Sequence, residues 1–150
     1  MSEKFHADGS APIIIIDDDE EDQYFFTTIL QKLLPQRECF TFHSGDDALH
    51  YLKTTQVRPF LIITEVKLRK MDGLELRRQI ELDPELKEKA IPFIFFSHPV
   101  HLHDVKEAYE LPIQGYFEKA SNMKKVEQQL KSIVDYWQAC LHPNSPQFLQ

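Results

Sequence analysis

The sequence predicts an α/β protein of the doubly wound type, in which helices cover both faces of a parallel sheet. Short apolar runs rich in β-branched residues alternate along the chain with longer segments of helical period. The first of these runs, Ile13–Ile16, shows no polar alternation. Such a run suits a strand buried on both faces. Strand and helix signals in five successive pairs therefore indicate one parallel sheet covered by helices.

The first half of the chain contains three predicted strands, Ile13–Ile16, Cys39–Phe42 and residues 60–63, each followed by a helix. The first helix ends before Pro35, because proline disfavours a helical residue before it. The second helix is short and opens at Ser44. The third runs over Gly73–Leu82 and is expected to stop near Pro84. The apolar stripe of the first helix, at helical spacing, consists of Phe26, Ile29, Leu30, Leu33 and Leu34.

The second half contains predicted strands at residues 92–96 and 115–117, with a helix after each. Val105 and Ala108 mark the fourth helix, and a long amphipathic helix from Met123 to Trp137 closes the fold. We expect one domain over residues 12–141. Residues 1–11 are expected to form a flexible N-terminus. Residues 142–150, which include Pro143, are expected to form a flexible tail.

Composition excludes several classes of function. The net charge of −7 and the pI near 5.4 argue against a nucleic-acid-binding surface, which needs a basic face, and mildly against an anionic membrane. The longest apolar run, four residues, is too short to span a bilayer. Cys39 and Cys140 are far apart in sequence, so we expect no disulfide framework and a cytoplasmic location.

Polar residues follow four of the five predicted strands, where the carboxyl ends of parallel strands meet. Carboxylates gathered in this way cannot all stay ionised without a cation, which can be a hard divalent metal, a lysine or both. The sequence therefore predicts a charged site at this edge. Its members are Asp17, Asp18 and Asp19 after the first strand, Thr64 and Glu65 after the third, Ser97 and His98 after the fourth, and Glu118 and Lys119 after the fifth.

Four segments in order resemble the response-regulator receiver domains, the CheY-like family. They are the apolar strand and acidic run at residues 13–22, the Met-Asp-Gly turn at residues 71–73, the strand ending in serine at residues 91–97, and Gly-Tyr-Phe-Glu-Lys at residues 115–119. The resemblance covers roughly residues 13–133. It implies a flavodoxin-like (βα)5 sandwich with five parallel strands in the order 2-1-3-4-5.

The resemblance also implies roles for single residues. Asp17 and Asp18 match the acidic pair that binds Mg²⁺ in the family. Ser97 and Lys119 match the residues that hold the phosphoryl oxygens, and Tyr116 matches the switch aromatic that turns inward on phosphorylation. The implied partner is a sensor histidine kinase or another signalling protein. Members of the family usually pair or dock through one face, formed by the fourth helix, the fifth strand and the fifth helix. A homodimer through this face is therefore one option for this chain.

The sequence departs from the family at the phosphoacceptor position. Counting back from the Met-Asp-Gly turn places Glu65 where the family has aspartate. The extra methylene moves the carboxylate, and a misplacement of about 1 Å can cost about a hundredfold in rate. Glu65 could instead reach toward Ser97 and Lys119 and partly imitate a phosphoaspartate, with one negative charge where a phosphate carries nearly two. The cation Lys67, two residues further on, could pair with Glu65 or Asp18 and reduce the need for Mg²⁺.

Three functions stay open on the sequence. The favoured one is a receiver-like module that acts through partner binding, with impaired or absent phosphorylation. The second is a working phospho-switch that uses Glu65 with Mg²⁺. The third is a metal-dependent phosphohydrolase with Asp17 as nucleophile, although no phosphate loop or dinucleotide turn is present. We expect no enzymatic activity. We interpret the histidines at positions 98, 101 and 103, and the basic residues near Lys67, as solvated surface.

Overall fold

The computed structural model describes residues 11–98 and 101–145. In this part of the chain, five strands alternate with helices, as the periodicity of the sequence predicts. The elements are β1 (Ile13–Ile16), α1 (Glu20–Leu33), β2 (Cys39–Phe42), α2 (Gly45–Thr54), β3 (Leu61–Thr64), α3 (Gly73–Leu82), α4 (Pro84–Lys89), β4 (Phe93–Ser97), α5 (Leu102–Tyr109), β5 (Gly115–Glu118) and α6 (Met123–Ala139).

The strands form a single parallel sheet in the order β2-β1-β3-β4-β5. The predicted fold class and strand order are therefore confirmed. The register places Ile16 beside Thr64, and Thr64 beside Phe95. It also places Ser97 beside Glu118. The carboxyl ends of β1, β3, β4 and β5 consequently lie along one edge of the sheet.

Two apolar layers enclose the sheet and explain why its central strands lack polar alternation. Ile13 and Ile15 face α1 and α6, whereas Ile14 and Ile16 face the layer that contains α2, α3 and α5. All four isoleucines are at most 1% exposed. Alternate residues of β1 point to opposite faces, and both faces are covered, so every position of the strand is apolar.

One helix was missed by the sequence prediction. Pro84 does not end the helical region but begins α4. Asp83 caps this helix, since its carboxylate accepts hydrogen bonds from the N–H groups of Glu85 and Leu86. Proline is favoured at the first helical position, where its missing N–H would have had no partner. The Asp-Pro pair is therefore a helix start as well as a stop.

The predicted flexible tail is wrong for residues 142–145. His142 is 5% exposed, and its Nε2 lies 2.7 Å from the carbonyl oxygen of Phe60. The buried Asn144 donates from Nδ2 to the carbonyl oxygen of Lys89 at 2.8 Å. These hydrogen bonds satisfy polar groups that would be costly to bury alone, so the segment docks on the fold. Residues 146–150 lie outside the described residues, as does the predicted flexible N-terminus except for the buried Ala11.

Among the described residues, no helix has the length and apolar character needed to cross a membrane.

Candidate functional site

Four polar side chains from four strand ends meet at the carboxyl edge of the sheet. Asp17 follows β1, Glu65 follows β3, Ser97 ends β4 and Lys119 follows β5. All four are buried, with exposures of 2%, 8%, 5% and 8%. The predicted clustering of these residues is therefore observed. Buried charges persist only when they are paired and hydrogen-bonded, so their contacts define the site.

The ammonium group of Lys119 lies at the centre of this cluster. Its Nζ donates to Asp17 Oδ2 at 2.7 Å, to Glu65 Oε2 at 2.9 Å and to Asp22 Oδ2 at 2.9 Å. A lysine ammonium has three N–H donors, so these three carboxylates use all of them. The ring of Phe26 packs against the same group, with its centroid 5.4 Å from Nζ.

Both carboxylate oxygens of Glu65 are engaged. Oε1 accepts hydrogen bonds from the backbone N–H of Val66, at 2.8 Å, and from the Ser97 hydroxyl. Oε2 accepts from Lys119. Glu65 therefore contacts both of the groups that, by resemblance, hold phosphoryl oxygens in the family.

The Met-Asp-Gly turn supports the backbone beneath Glu65. The N–H of Gly73 donates to the carbonyl oxygen of Val66 at 2.8 Å. A Cβ atom at position 73 would lie 2.5 Å from the carbonyl oxygen of Glu65 and 2.8 Å from the ring of Phe95. Only glycine permits this approach, which explains why the motif places glycine at the start of α3.

Tyr116 lies against the site in an inward position. Its ring packs against Phe95, with centroids 5.7 Å apart, and its side chain lines the same cavity as Ser97 and Glu65. Burial raises the pKa of Tyr116, and the nearby carboxylates of Asp104, Glu65 and Glu118 raise it further. Glu65 and Ser97 are thus hydrogen-bonded to each other, and Tyr116 lines the cavity beside them.

The electrostatics reflect three carboxylates around one ammonium. Burial raises the pKa of Asp17, although the neighbouring Lys119 charge opposes this shift. Burial alone would lower the pKa of Lys119, but the Asp17 charge, the hydrogen bonds to Asp17 and Asp22, and the Glu65 charge together raise it. Lys119 is therefore a permanent cation in this site.

The residues predicted as metal ligands already take part in hydrogen bonds or ion pairs in this arrangement. The two oxygens of Asp17 accept from the Asp19 N–H, at 2.9 Å, and from Lys119, and both oxygens of Glu65 are engaged as described. Asp18 lines the same cavity as Asp17 and Glu65, with its side chain 29% exposed and its Oδ2 4.0 Å from Arg69 Nε. The described residues contain no group of three or more potential ligands arranged to hold a metal. The positive charge that contacts Asp17 and Glu65 in this arrangement is the Lys119 ammonium.

Lys67 is exposed and lies on the rim of the site. In the described part of the chain, no ion pair joins it to Glu65 or Asp18, so the predicted pairing is not observed. Lys119 pairs with Glu65 instead. A cavity of about 340 Å³ separates this rim from His98 and Tyr116 on the other side.

Sequence reasoning missed Asp22, which it did not assign to the charged site. The side chain of Asp22 is only 21% exposed, and its Oδ2 lies 2.9 Å from Lys119 Nζ and 3.2 Å from His98 Nε2. Asp22 is five residues beyond Asp17, and the N-cap at Asp19 fixes how the first turn leaves the strand. That turn carries Asp22 back over the sheet edge. The sequence alone offers only a weak signal for it, namely one more acid in an acidic run.

Known proteins with similar sequences and structures agree with this geometry. The family profile described as the response regulator receiver domain matches residues 13–131. The response regulator Rcp1 of Synechocystis sp. is 32% identical over 80 residues, which cover 53% of this chain and 53% of Rcp1. The chain thus aligns with about half the length of that curated relative.

Two solved structures extend the comparison to nearly the whole fold. The phosphorylated cyanobacterial phytochrome response regulator RcpA superposes with a TM-score of 0.82 at 27% identity, covering 90% of this chain and 99% of RcpA. The Mn(2+)-bound form of Rcp1 superposes with a TM-score of 0.79 at 25% identity, covering 89% of this chain and 99% of that chain. The profile and the structures point to one fold and one family.

Proposed function

This chain belongs to the response regulator receiver domain family of two-component signalling, and we propose that it regulates a partner by binding without the usual phosphorylation step. In this proposal Glu65 stands at the phosphoacceptor position and acts as a permanent internal ligand of the switch. The observation that carries the proposal is that Glu65 binds Ser97 and Lys119 at once.

The contacts of Glu65 support a state that resembles the phosphorylated one. In the family, Ser97 and Lys119 would hold phosphoryl oxygens and Tyr116 would turn inward. Here the carboxylate of Glu65 meets both groups, and Tyr116 lines the cavity beside Ser97. The imitation is incomplete, because a carboxylate carries one negative charge and a phosphate nearly two. We therefore propose a receiver held near one conformation and read by its partner through its surface.

The two alternatives receive less support from the geometry. A phospho-switch at Glu65 would need a free carboxylate oxygen and Mg²⁺, whereas both oxygens are engaged and the predicted ligands surround an ammonium. A phosphohydrolase would need Asp17 as a nucleophile, and both of its oxygens also accept hydrogen bonds. We propose that the chain has no enzymatic activity of its own.

The proposed contact surface is the face formed by α5, β5 and α6. Leu102 and Tyr109 on α5 are 69% and 55% exposed. Tyr116 on β5 connects this face to Ser97, so the state of the site can influence the surface. The partner would be a sensor histidine kinase or another signalling protein in the cytoplasm, with a second copy of the chain as an alternative. RcpA is a phytochrome response regulator, so a light-sensing kinase is one candidate. Neither a nucleic acid nor a membrane is proposed as a partner.

The test is intact-mass analysis after incubation with acetyl phosphate and Mg²⁺. Wild type should remain unmodified, whereas Glu65→Asp should gain one phosphoryl group, because aspartate restores the acceptor geometry. Glu65→Gln is the matched control, since it keeps the size of the side chain and removes the carboxylate. Addition of one phosphoryl group to wild type but not to Glu65→Gln would show that Glu65 accepts phosphate and would refute the proposal.

A further inference from the structure

Asp22 differs from the other acids of the first turn of α1 in where its side chain lies. Asp19, Glu20 and Glu21 are exposed, whereas the Asp22 side chain is only 21% exposed. The carboxylate of Asp19 caps the helix by accepting from the N–H groups of Glu21 and Asp22. This cap fixes the first turn and directs the Asp22 carboxylate to the sheet edge, 2.9 Å from Lys119 Nζ.

We propose that Asp22 is a second lock on the site, independent of Glu65. Its carboxylate accepts from an N–H of Lys119 that would otherwise donate to a phosphoryl oxygen. The inference rests on the proposed function, since it concerns why this receiver resists phosphorylation. Asp17 and Glu65 take two of the three N–H groups, and Asp22 takes the third. The ammonium has no donor left for an incoming anion.

The lock does not depend on Glu65. Shortening Glu65 to aspartate would leave Lys119 held by Asp17 at 2.7 Å and by Asp22 at 2.9 Å. One N–H of Lys119 would then be free, but Asp22 would still occupy another, and its negative charge beside the ammonium would repel an entering phosphoryl group. His98 Nε2 lies 3.2 Å from the same Oδ2 atom and holds the carboxylate from the solvent side. Asp22 is thus a positioning residue that acts through Lys119.

The inference predicts that restoring the acceptor aspartate gives only slow phosphorylation while Asp22 remains. Removing Asp22 as well should accelerate phosphorylation about tenfold or more, the factor that corresponds to one hydrogen bond to a charged group. The experiment compares Glu65→Asp with the double variant Glu65→Asp/Asp22→Ala. The time course of acetyl phosphate labelling in the presence of Mg²⁺ is followed by intact mass.

Glu65→Asp/Glu21→Ala is the matched control. It removes one acid from the same turn of α1 at an exposed position that does not touch Lys119, and it should label as slowly as Glu65→Asp alone. Thermal unfolding checks that each variant folds. If the alanine variant does not unfold cooperatively, Asp22→Asn replaces it. Asparagine keeps the size and one acceptor oxygen but loses the charge, so a smaller acceleration is expected.

The outcomes separate the inference from the proposed function. Faster labelling of the double variant than of Glu65→Asp and of the control supports the lock at Asp22. Equal labelling rates for Glu65→Asp and the double variant, or no labelling of either, overturn the inference about Asp22. The proposed function is still supported in that case if wild type remains unmodified. Labelling of wild type as fast as Glu65→Asp would overturn the proposed function itself.

Discussion

Replacing Lys119 with methionine should strongly destabilise the protein at neutral pH. The substitution keeps an unbranched side chain of similar length and removes the only cation that contacts Asp17 and Glu65 in the described part of the chain. The side chains of Lys119, Asp17 and Glu65 are 3%, 3% and 9% exposed. Two buried carboxylates would remain without a counter-charge.

The magnitude follows from the burial of this cluster. Removing one partner of a buried ion pair costs about 3–5 kcal/mol of folding free energy, because the other charge stays desolvated and unpaired. For a domain of this size, such a loss lowers Tm by on the order of 10 °C. The loss should be the same in the presence and absence of Mg²⁺ if the site does not bind the metal.

The pH dependence gives a second signature of the same effect. Burial raises the pKa of Asp17 above its value in the unfolded chain. A raised folded-state pKa means that the folded state binds the proton more readily, so stability is gained as pH falls through that pKa. Without Lys119 this shift should grow. The difference between the variant and wild type should therefore shrink as the pH is lowered to about 5.

The assay is urea unfolding monitored by circular dichroism at several pH values, with Lys124→Met as the matched control. Lys124 is an exposed lysine on α6, and its replacement should change stability by less than about 0.5 kcal/mol. If Lys119→Met is no less stable than this control at neutral pH, Lys119 does not neutralise a buried carboxylate cluster. That result would refute the electrostatic argument.

Three further predictions concern the rest of the fold. Gly73→Ala should destabilise the folded protein by about 2 kcal/mol or more, because the new Cβ would lie 2.5 Å from the Glu65 carbonyl oxygen. Gly115→Ala is the control: its nearest contact would be at 3.7 Å, so it should be tolerated in the same unfolding assay. Lys89→Met should cost about 2 kcal/mol, because Lys89 Nζ donates to three backbone carbonyls. Burial lowers the pKa of His142, so the unfolded chain binds a proton at this residue more readily than the folded protein does. The stability contributed by the neutral His142 side chain should therefore be lost as pH falls below about 6.5. His142→Phe should reduce this pH dependence in urea titrations, and an unchanged dependence would contradict the assignment.

The sheet and its active edge were predictable because local patterns determine them. β1 is apolar at every position since both of its faces are covered, and the polar residues begin where the strand ends. Parallel strands place their carboxyl ends together, so Asp17, Glu65, Ser97 and Lys119 could be assigned to one edge before the structure was known.

Other features depend on geometry that the residue pattern does not contain. The role of Asp22 depends on the direction in which α1 leaves β1, which the cap at Asp19 sets. The docking of His142 depends on a long-range hydrogen bond to Phe60, and the proline beside it favoured a loop. Helix α4 was missed because Pro84 was interpreted only as a stop signal.

The central claim is that Glu65 already occupies the groups that would otherwise hold a phosphoryl group. The most direct test is two-dimensional NMR of wild type before and after addition of Mg²⁺ and beryllium fluoride, which form a phosphoryl-like adduct on an accepting aspartate. If Glu65 occupies these groups, the backbone amide signals of Ser97, Tyr116 and Lys119 will not move. Saturable shifts of those three signals would show that the site still accepts a phosphoryl group, and would contradict the role given to Glu65.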